Sequence, residues 1–407
     1  MIHKSSLILS LFCIIGCKPR AANQQSANVK EIKTSDIEID SEIGESLHNN
    51  EAAATDQILA AISASIKIED KNNSLHPPGP IARRDAHPKA HGCVDAKFKI
   101  LKVEPQLTSI LQKGVFSNPD QEFDATIRFS NGNGNPNRHD ARGDGRGMAV
   151  KVHGVSGARL TNGDDGATDT QDFVMINHPL FFVNDPEHYV PIVKGIAEDT
   201  VEAKARLAKI LIGNPRETKV IAEITSIHIL NPLFEQYWSE VPYQIGTKSS
   251  GAKAVKFSSF PVNCKTGVAL PIVRPKFFEV PKLLTKDFNY LRNEMINTLK
   301  PDGKNSVCYD FAIQLRSTNP STGKPEDEKD LEDPTILWNG QFHSVARITI
   351  PPQQFNSDDQ NLQCENRSYS PWNGIAEHKP LGVVNRIRKV VYQAISKKRH
   401  QLNGSAR

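Results

Sequence analysis

Short apolar runs separated by glycine, asparagine and proline dominate the chain from about residue 81 onward. KFKILKV (97–103), DATIRFS (124–130), GMAVKVHGV (147–155) and QDFVMINHPLFFV (171–183) are rich in β-branched or aromatic residues and predict strands. Further strands are expected at 254–262, 309–317 (YDFAIQLRS) and 343–350 (HSVARITI). Helical spacing stands at both ends. Ile58, Leu59, Ile62 and Ile66 recur at a helical period within 51–67, and 191–218 and 284–299 also read as helix. In the terminal stretch NRIRKVVYQAISKKRH (385–400), Arg388, Tyr392, Ile395 and Arg399 fall on one helical face. HPPGP (76–80) breaks the chain, and a Pro-rich passage (350–372) leads into the last helix. The pattern predicts one α+β domain built on an antiparallel sheet or barrel, with helices before and after it.

The N-terminus changes the picture. MIHKSSLILSLFCIIGC opens with basic residues and carries an apolar run, Leu7 to Ile15, too short to span a bilayer. Its end, Ile14-Ile15-Gly16-Cys17, resembles the lipobox of bacterial lipoproteins. That resemblance implies a signal peptide over 1–16, lipidation of Cys17 and a lipid anchor in the bacterial cell envelope, periplasmic or on the outer surface. Residues 18 to about 50 are polar and lack a sustained period, as a tether would be. The expected organisation is therefore a signal over 1–16, a tether and N-terminal helix over 17–75, and the main domain over 76–407.

Charge and cysteines exclude more than they assign. Of 407 residues, 24% are charged with a net +4, too slight to imply nucleic acid as a partner. Beyond the leader, Cys93, Cys264, Cys308 and Cys364 show no CxxC spacing, which argues against zinc. An oxidising compartment permits disulfides among them, and their three possible pairings stay open. The loops NGNGNPNRHDARGDGRG (131–147) and NGDDGATD (162–169) are acidic and glycine-rich, but they lack the ligand spacing of an EF-hand and read as turns.

Three polar groups sit where packing alone would not put them: Arg84 and His87 after the proline turn, Asn177 inside an apolar strand, and Tyr392 between Arg388 and Arg399. In chain order these resemble the catalase family. The resemblance runs from about residue 80 to 400. It is carried by Arg84-Asp85-Ala86-His87, by Arg128-Phe129-Ser130 and by Asp144-Gly145-Arg146-Gly147-Met148-Ala149-Val150-Lys151. It continues through Asp172-Phe173-Val174-Met175-Ile176-Asn177 with Phe181-Phe182, and ends in Arg388, Tyr392 and Arg399.

The resemblance implies a catalase-like haem-binding antiparallel β-barrel with flanking helices and haem b as cofactor. Tyr392 would be the axial ligand of the haem iron, as tyrosine is in catalase. His87 would be the acid/base, Asn177 would orient the peroxide and Ser130 would fix the His87 ring. Arg84, Arg128 and Arg399 would meet haem propionates, and Arg388 would hold the phenolate. His91 and His178 read as packing residues. The expected activity is reduction of hydrogen peroxide or organic hydroperoxides, as a peroxidase with weak catalase activity, using a small-molecule reductant. A fatty-acid hydroperoxide isomerase or dehydratase of the allene oxide synthase type, and a non-enzymatic haem-binding lipoprotein, are the alternatives. Met148 and Val152 stand where catalases carry aromatics, Ala86 replaces the usual Val, and the chain ends soon after Tyr392, as in short catalase-related proteins.

Overall fold

The structure is a computed structural model that describes residues 37–66, 68–69, 76–77, 80–161, 168–197 and 201–404. The expected signal, Cys17 and the first part of the tether lie outside the described residues.

An antiparallel sheet curls into a barrel. Strands β1 (Ile68–Glu69) and β2 (Ile81–Ala82) form a small separate ribbon. The barrel contains β3 (Ala90–Ile100), β4 (Glu122–Asn131), β5 (Arg146–His153), β6 (Thr170–Ile176), β7 (Tyr237–Trp238), β9 (Lys253–Val262), β10 (Val307–Leu315) and β11 (Phe342–Ile350). Pairing runs β10-β11-β3-β4-β5-β6-β7-β9, and β10 pairs with β9 to close the ring; β8 (Tyr243–Ile245) pairs with the first residues of β9, on the edge that β7 uses further along. Closure leaves no free sheet edge within the ring.

Inward positions fill the barrel with rings. Phe98, Phe116, Phe173, Phe257 and Phe311 are all essentially inaccessible, and the Phe173 centroid lies 4.7 Å from Phe311 and 5.1 Å from Phe257. Large rings at alternating positions explain why these segments are legible as strands. Two strands begin earlier or end sooner than the sequence suggests. β3 extends back to Ala90, where alternation is hidden by histidine and glycine, and β6 stops at Ile176, before Asn177-His178-Pro179 turns away.

Among helices longer than two turns, the chain forms α1 (Glu51–Ser65), α2 (Pro186–Ala197), α3 (Val201–Gly213), α4 (Pro215–Thr225), α5 (Tyr290–Thr298), α6 (Asp358–Asn366) and α7 (Val383–Leu402). The expected helix at 191–218 is three helices, cut where Pro215 opens a new one. Helix α6 lies in the Pro-rich passage expected only to lead into the last helix; a Ser357–Gln360 capping box starts it.

The N-terminal helix is locked to the last one. Arg386 of α7 is fully buried and donates to Glu51 of α1, to Glu45 and to Glu332, at 2.8, 3.1 and 3.2 Å. One guanidinium satisfied on every side fixes where α7, and so Tyr392, lies. The cysteines pair as Cys93–Cys364 and Cys264–Cys308, joining β3 to α6 and the end of β9 to β10.

Candidate functional site

Strand register assembles one wall of the site. In the β4–β5–β6 ladder, Ser130 stands opposite Gly147, and Gly147 stands opposite Ile176, the residue before Asn177. His87 lies across this row. Its Nδ1 is 3.1 Å from Ser130 Oγ, and its carbonyl accepts from Arg128 at 2.8 Å. His87 has φ +59, a conformation most residues avoid, and its N–H is held by Gly132 O at 3.3 Å. Gly147 has to be glycine: a Cβ there would come within 2.7 Å of both His87 Nδ1 and Ser130 Oγ.

Burial, then the Arg128 and Arg388 charges, push the His87 pKa down to about 3. The imidazole is therefore neutral at physiological pH and able to accept a proton. With Nδ1 engaged by Ser130, that task falls to Nε2.

Asn177 is buried and its amide orientation is fixed. Oδ1 accepts the Arg146 N–H at 2.7 Å, while Nδ2 donates to Glu235 Oε2 at 3.2 Å. Arg274 in turn donates to Glu235 Oε2 at 2.7 Å. Arg146 ties down the 131–147 loop through Asn131 Oδ1 (2.5 Å), Asp140 O (3.0 Å) and Arg142 O (3.0 Å). His91 is also buried in this network, its Nε2 at 2.9 Å from Asn131 Oδ1. His178 caps its own turn at Leu180 O, 3.0 Å away.

The second wall comes from α7. Arg388 donates to the Tyr392 hydroxyl at 3.0 Å, and its guanidinium carbon is 5.1 Å from the Tyr392 ring centroid. Burial would lower the Arg388 pKa, but Tyr392, Tyr243 and Glu240 outweigh it and hold the group above its ordinary value. Tyr189 is within electrostatic reach of Tyr392, and it packs edge-on against Phe181 and Phe182.

Glu240 escapes sequence reasoning. It is buried, has φ +61 and leaves Oε1 without a hydrogen-bond partner among the described residues. Burial pushes its pKa well above the ordinary carboxylate value, against the pull of Arg388 and Lys256. Lys256 is held near 8 by burial despite Asp330 and Glu240. Nothing in the sequence marks Glu240, because its neighbours arrive from distant strands and from α7.

Three arginines converge beside the site with too little negative charge to balance them. Arg84 donates to Glu365 Oε1 at 2.9 Å; Arg399 bonds the Glu365 carbonyl, and its guanidinium is 3.6 Å from Oε1. Burial and then the Arg84 charge push both Arg128 and Arg399 down to about 9. Arg128 Nε is buried without a hydrogen-bond partner among the described residues. One carboxylate, Glu365, serves Arg83, Arg84 and Arg399, while Arg128 donates to the His87 carbonyl and feels Glu365 only through space; the two propionates of haem fit that excess of guanidinium donors. Among the described residues there is no cluster of three or more histidine, cysteine or acidic side chains that would suit a bare metal ion.

The structure thus sets the His87 ring against Ser130 of β4, with Asn177 just past the end of the same ladder at β6. It pairs Arg388 with Tyr392, ties Arg84 and Arg399 to Glu365 and ties Arg128 to the His87 carbonyl.

The Catalase family model matches residues 71–210. Several solved catalases share the fold. A fungal catalase aligns with a TM-score of 0.60 at 16% identity, over 80% of this chain and 62% of its own. Catalase A from Saccharomyces cerevisiae aligns with a TM-score of 0.60 at 17% identity, over 80% and 64%. A bacterial catalase aligns with a TM-score of 0.58 at 15% identity, over 80% and 58%. The chain spans about three fifths of the length of these catalases. No curated protein matches the sequence.

Proposed function

We propose that this chain, which carries a catalase-family segment on a catalase fold, is a haem b enzyme that reduces hydrogen peroxide or organic hydroperoxides. The observation that carries the reading is electrostatic. Arg388, which donates to the Tyr392 oxygen on α7, also bears electrostatically on His87, whose ring is set against Ser130 of the barrel.

Tyr392 would hold the haem iron through its phenol oxygen, and Arg84, Arg128 and Arg399 would pair with the propionates. Bound there, haem would supply a ferric centre able to accept oxidising equivalents from a peroxide. The Arg388 guanidinium holds the Tyr392 oxygen in place by donating to it. Neutral His87 accepts the proton from the inner oxygen of the hydroperoxide and returns it to the outer oxygen, which departs as water or an alcohol. Ser130 keeps the ring oriented. Asn177 has one N–H on Glu235 and a second with which to orient the peroxide. A small-molecule reductant supplies two electrons per hydroperoxide; when that reductant is a second hydrogen peroxide, the reaction is that of a catalase.

The test is an absorption spectrum of the chain loaded with ferric haem, wild type beside Tyr392→Phe, before and after peroxide, with reductant oxidation followed in parallel. A high-spin ferric spectrum that Tyr392→Phe alters, with stoichiometric loss of peroxide and reductant, is the expected result. A wild-type chain that fails to retain haem overturns the proposal.

A further inference from the structure

The segment that follows β9 displays apolar side chains that the barrel does not use. Phe277 is 93% and Phe278 69% exposed, and Val273 (62%) and Leu284 (47%) are exposed beside them in sequence. This is a held arm rather than a loose end. It begins at Cys264, pinned to Cys308 of β10. Arg274 clamps it to Glu235 at 2.7 Å. Leu283 buries itself in a cluster with Tyr290, Leu291 and Ile227. Between those anchors, Pro275 and Pro281 deny the arm a strand partner, and the Phe277–Phe278 tip projects outward. Adjacent phenylalanines held in water mark a contact surface.

Charge identifies the contact. Over 263–286 the arm carries Lys265, Arg274, Lys276, Lys282 and Lys286 against Glu279 as its single acid. Arg274 is neutralised by Glu235 and Lys286 is paired with Glu294. Lys276 and Lys282 flank the tip, and Lys276 Nζ is 5.9 Å from the Phe278 ring centroid. Aromatic rings bracketed by lysines suit the headgroup boundary of an anionic bilayer, where rings enter the interface and ammonium groups meet lipid phosphates. Self-pairing of the patch through a two-fold axis would set these lysines against their own copies.

We propose that the Phe277–Phe278 tip, with Lys276 and Lys282, docks the folded domain on an anionic lipid surface. This is a second membrane contact, separate from any N-terminal anchor, and it does not depend on haem. It also joins the lipid surface to the site, because Arg274, three residues before Phe277, holds the Glu235 carboxylate that accepts from Asn177.

The test places a reporter in the tip. The full chain carries Ile8→Asp, Phe12→Asp and Cys17→Ser, which disable the N-terminal apolar run and the lipidation thiol. Phe278→Trp in that background is compared with its parent, so that the added emission reports the tip alone; position 278 is exposed and tolerates the exchange. Phosphatidylglycerol-rich vesicles should shift that emission to the blue, and neutral phosphatidylcholine vesicles should do so far less. Each lysine near an anionic surface contributes about 1 kcal/mol, so adding Lys276→Gln with Lys282→Gln should raise the lipid needed for half-maximal shift on the order of 30-fold. No shift with anionic vesicles overturns the proposal. So does an equal shift with neutral vesicles, or a shift that appears on concentrating the protein without lipid, which would identify a second copy as the occupant.

Discussion

Arg388 donates to the Tyr392 hydroxyl at 3.0 Å from one turn earlier on α7, and the buried carboxyl of Glu240 bears electrostatically on the same guanidinium. The pair is local in sequence, yet its setting is not. Burial strips water from the guanidinium, so its positive charge acts on the phenol oxygen with little screening. Arg388→Gln should keep the fold and lower either haem affinity or peroxide turnover by about 10- to 100-fold, the range found when a partner of a metal ligand is removed. Haem titration and turnover on the same preparation check it; unchanged values would remove Arg388 from the chemistry.

Gly147→Ala should injure the site without removing any functional group. The new Cβ must displace His87 or Ser130, since it would lie 2.7 Å from each. A misplacement of about 1 Å can cost on the order of 100-fold in rate. The expected outcome is turnover reduced on that scale with haem retained. His87→Ala should reduce it by about 10²- to 10⁴-fold. If Gly147→Ala matched wild type, the His87 ring would not need its present position.

His378 contributes a defined share of acid sensitivity. It is fully buried against Phe116, and its Nε2 accepts the Val115 N–H at 3.0 Å, which requires the neutral ring. Burial holds its pKa down at about 3, against about 6.5 when unfolded. Between those values the unfolded chain binds a proton that the folded chain refuses. Folding stability from this residue therefore rises with pH across the window and is lost as pH falls through it. His378→Gln should flatten the pH dependence of stability by about 1.4 kcal/mol per pH unit between pH ~4 and ~6. Denaturant midpoints of the two proteins at several pH values decide it, and parallel slopes would contradict it.

The Cys93–Cys364 bridge should matter for stability and for the arginine cluster together. It spans 271 residues and holds α6, whose Glu365 bonds Arg84 and Arg399. Cys93→Ser with Cys364→Ser should cost about 2–4 kcal/mol. It should also weaken haem retention, because Arg84 and Arg399, proposed above to pair with the propionates, lose a fixed partner. Thermal unfolding and a haem-release assay would register the two effects separately; stability and haem release both equal to wild type would refute the linkage.

Much of this was legible along the chain. The barrel strands announced themselves because ring-bearing and β-branched residues alternate with polar ones, a signal written within each strand. The Arg388–Tyr392 pair was legible because a helix converts a spacing of four into a contact. His87, Ser130 and Asn177 could be singled out from the order of short motifs. Helix α6 was not legible: Asn361, Cys364 and Glu365 are its buried positions, and polar residues give no hydrophobic period.

What tertiary structure alone decided is everything that depends on register and closure. The sequence left three disulfide pairings, and the barrel chose one by bringing β3 beside α6 and the end of β9 beside β10. Arg84, Arg128 and Arg399 are hundreds of residues apart at the extremes, and only folding buries Arg128 and Arg399 near the Arg84 charge so that both pKa values fall. Glu240 has no sequence signature at all, since the rise of its pKa follows from burial and runs against the pull of Arg388 and Lys256. The residues fix which groups are present. Their charge states are set by desolvation and by neighbours from distant strands, and those exist only once the ring has closed.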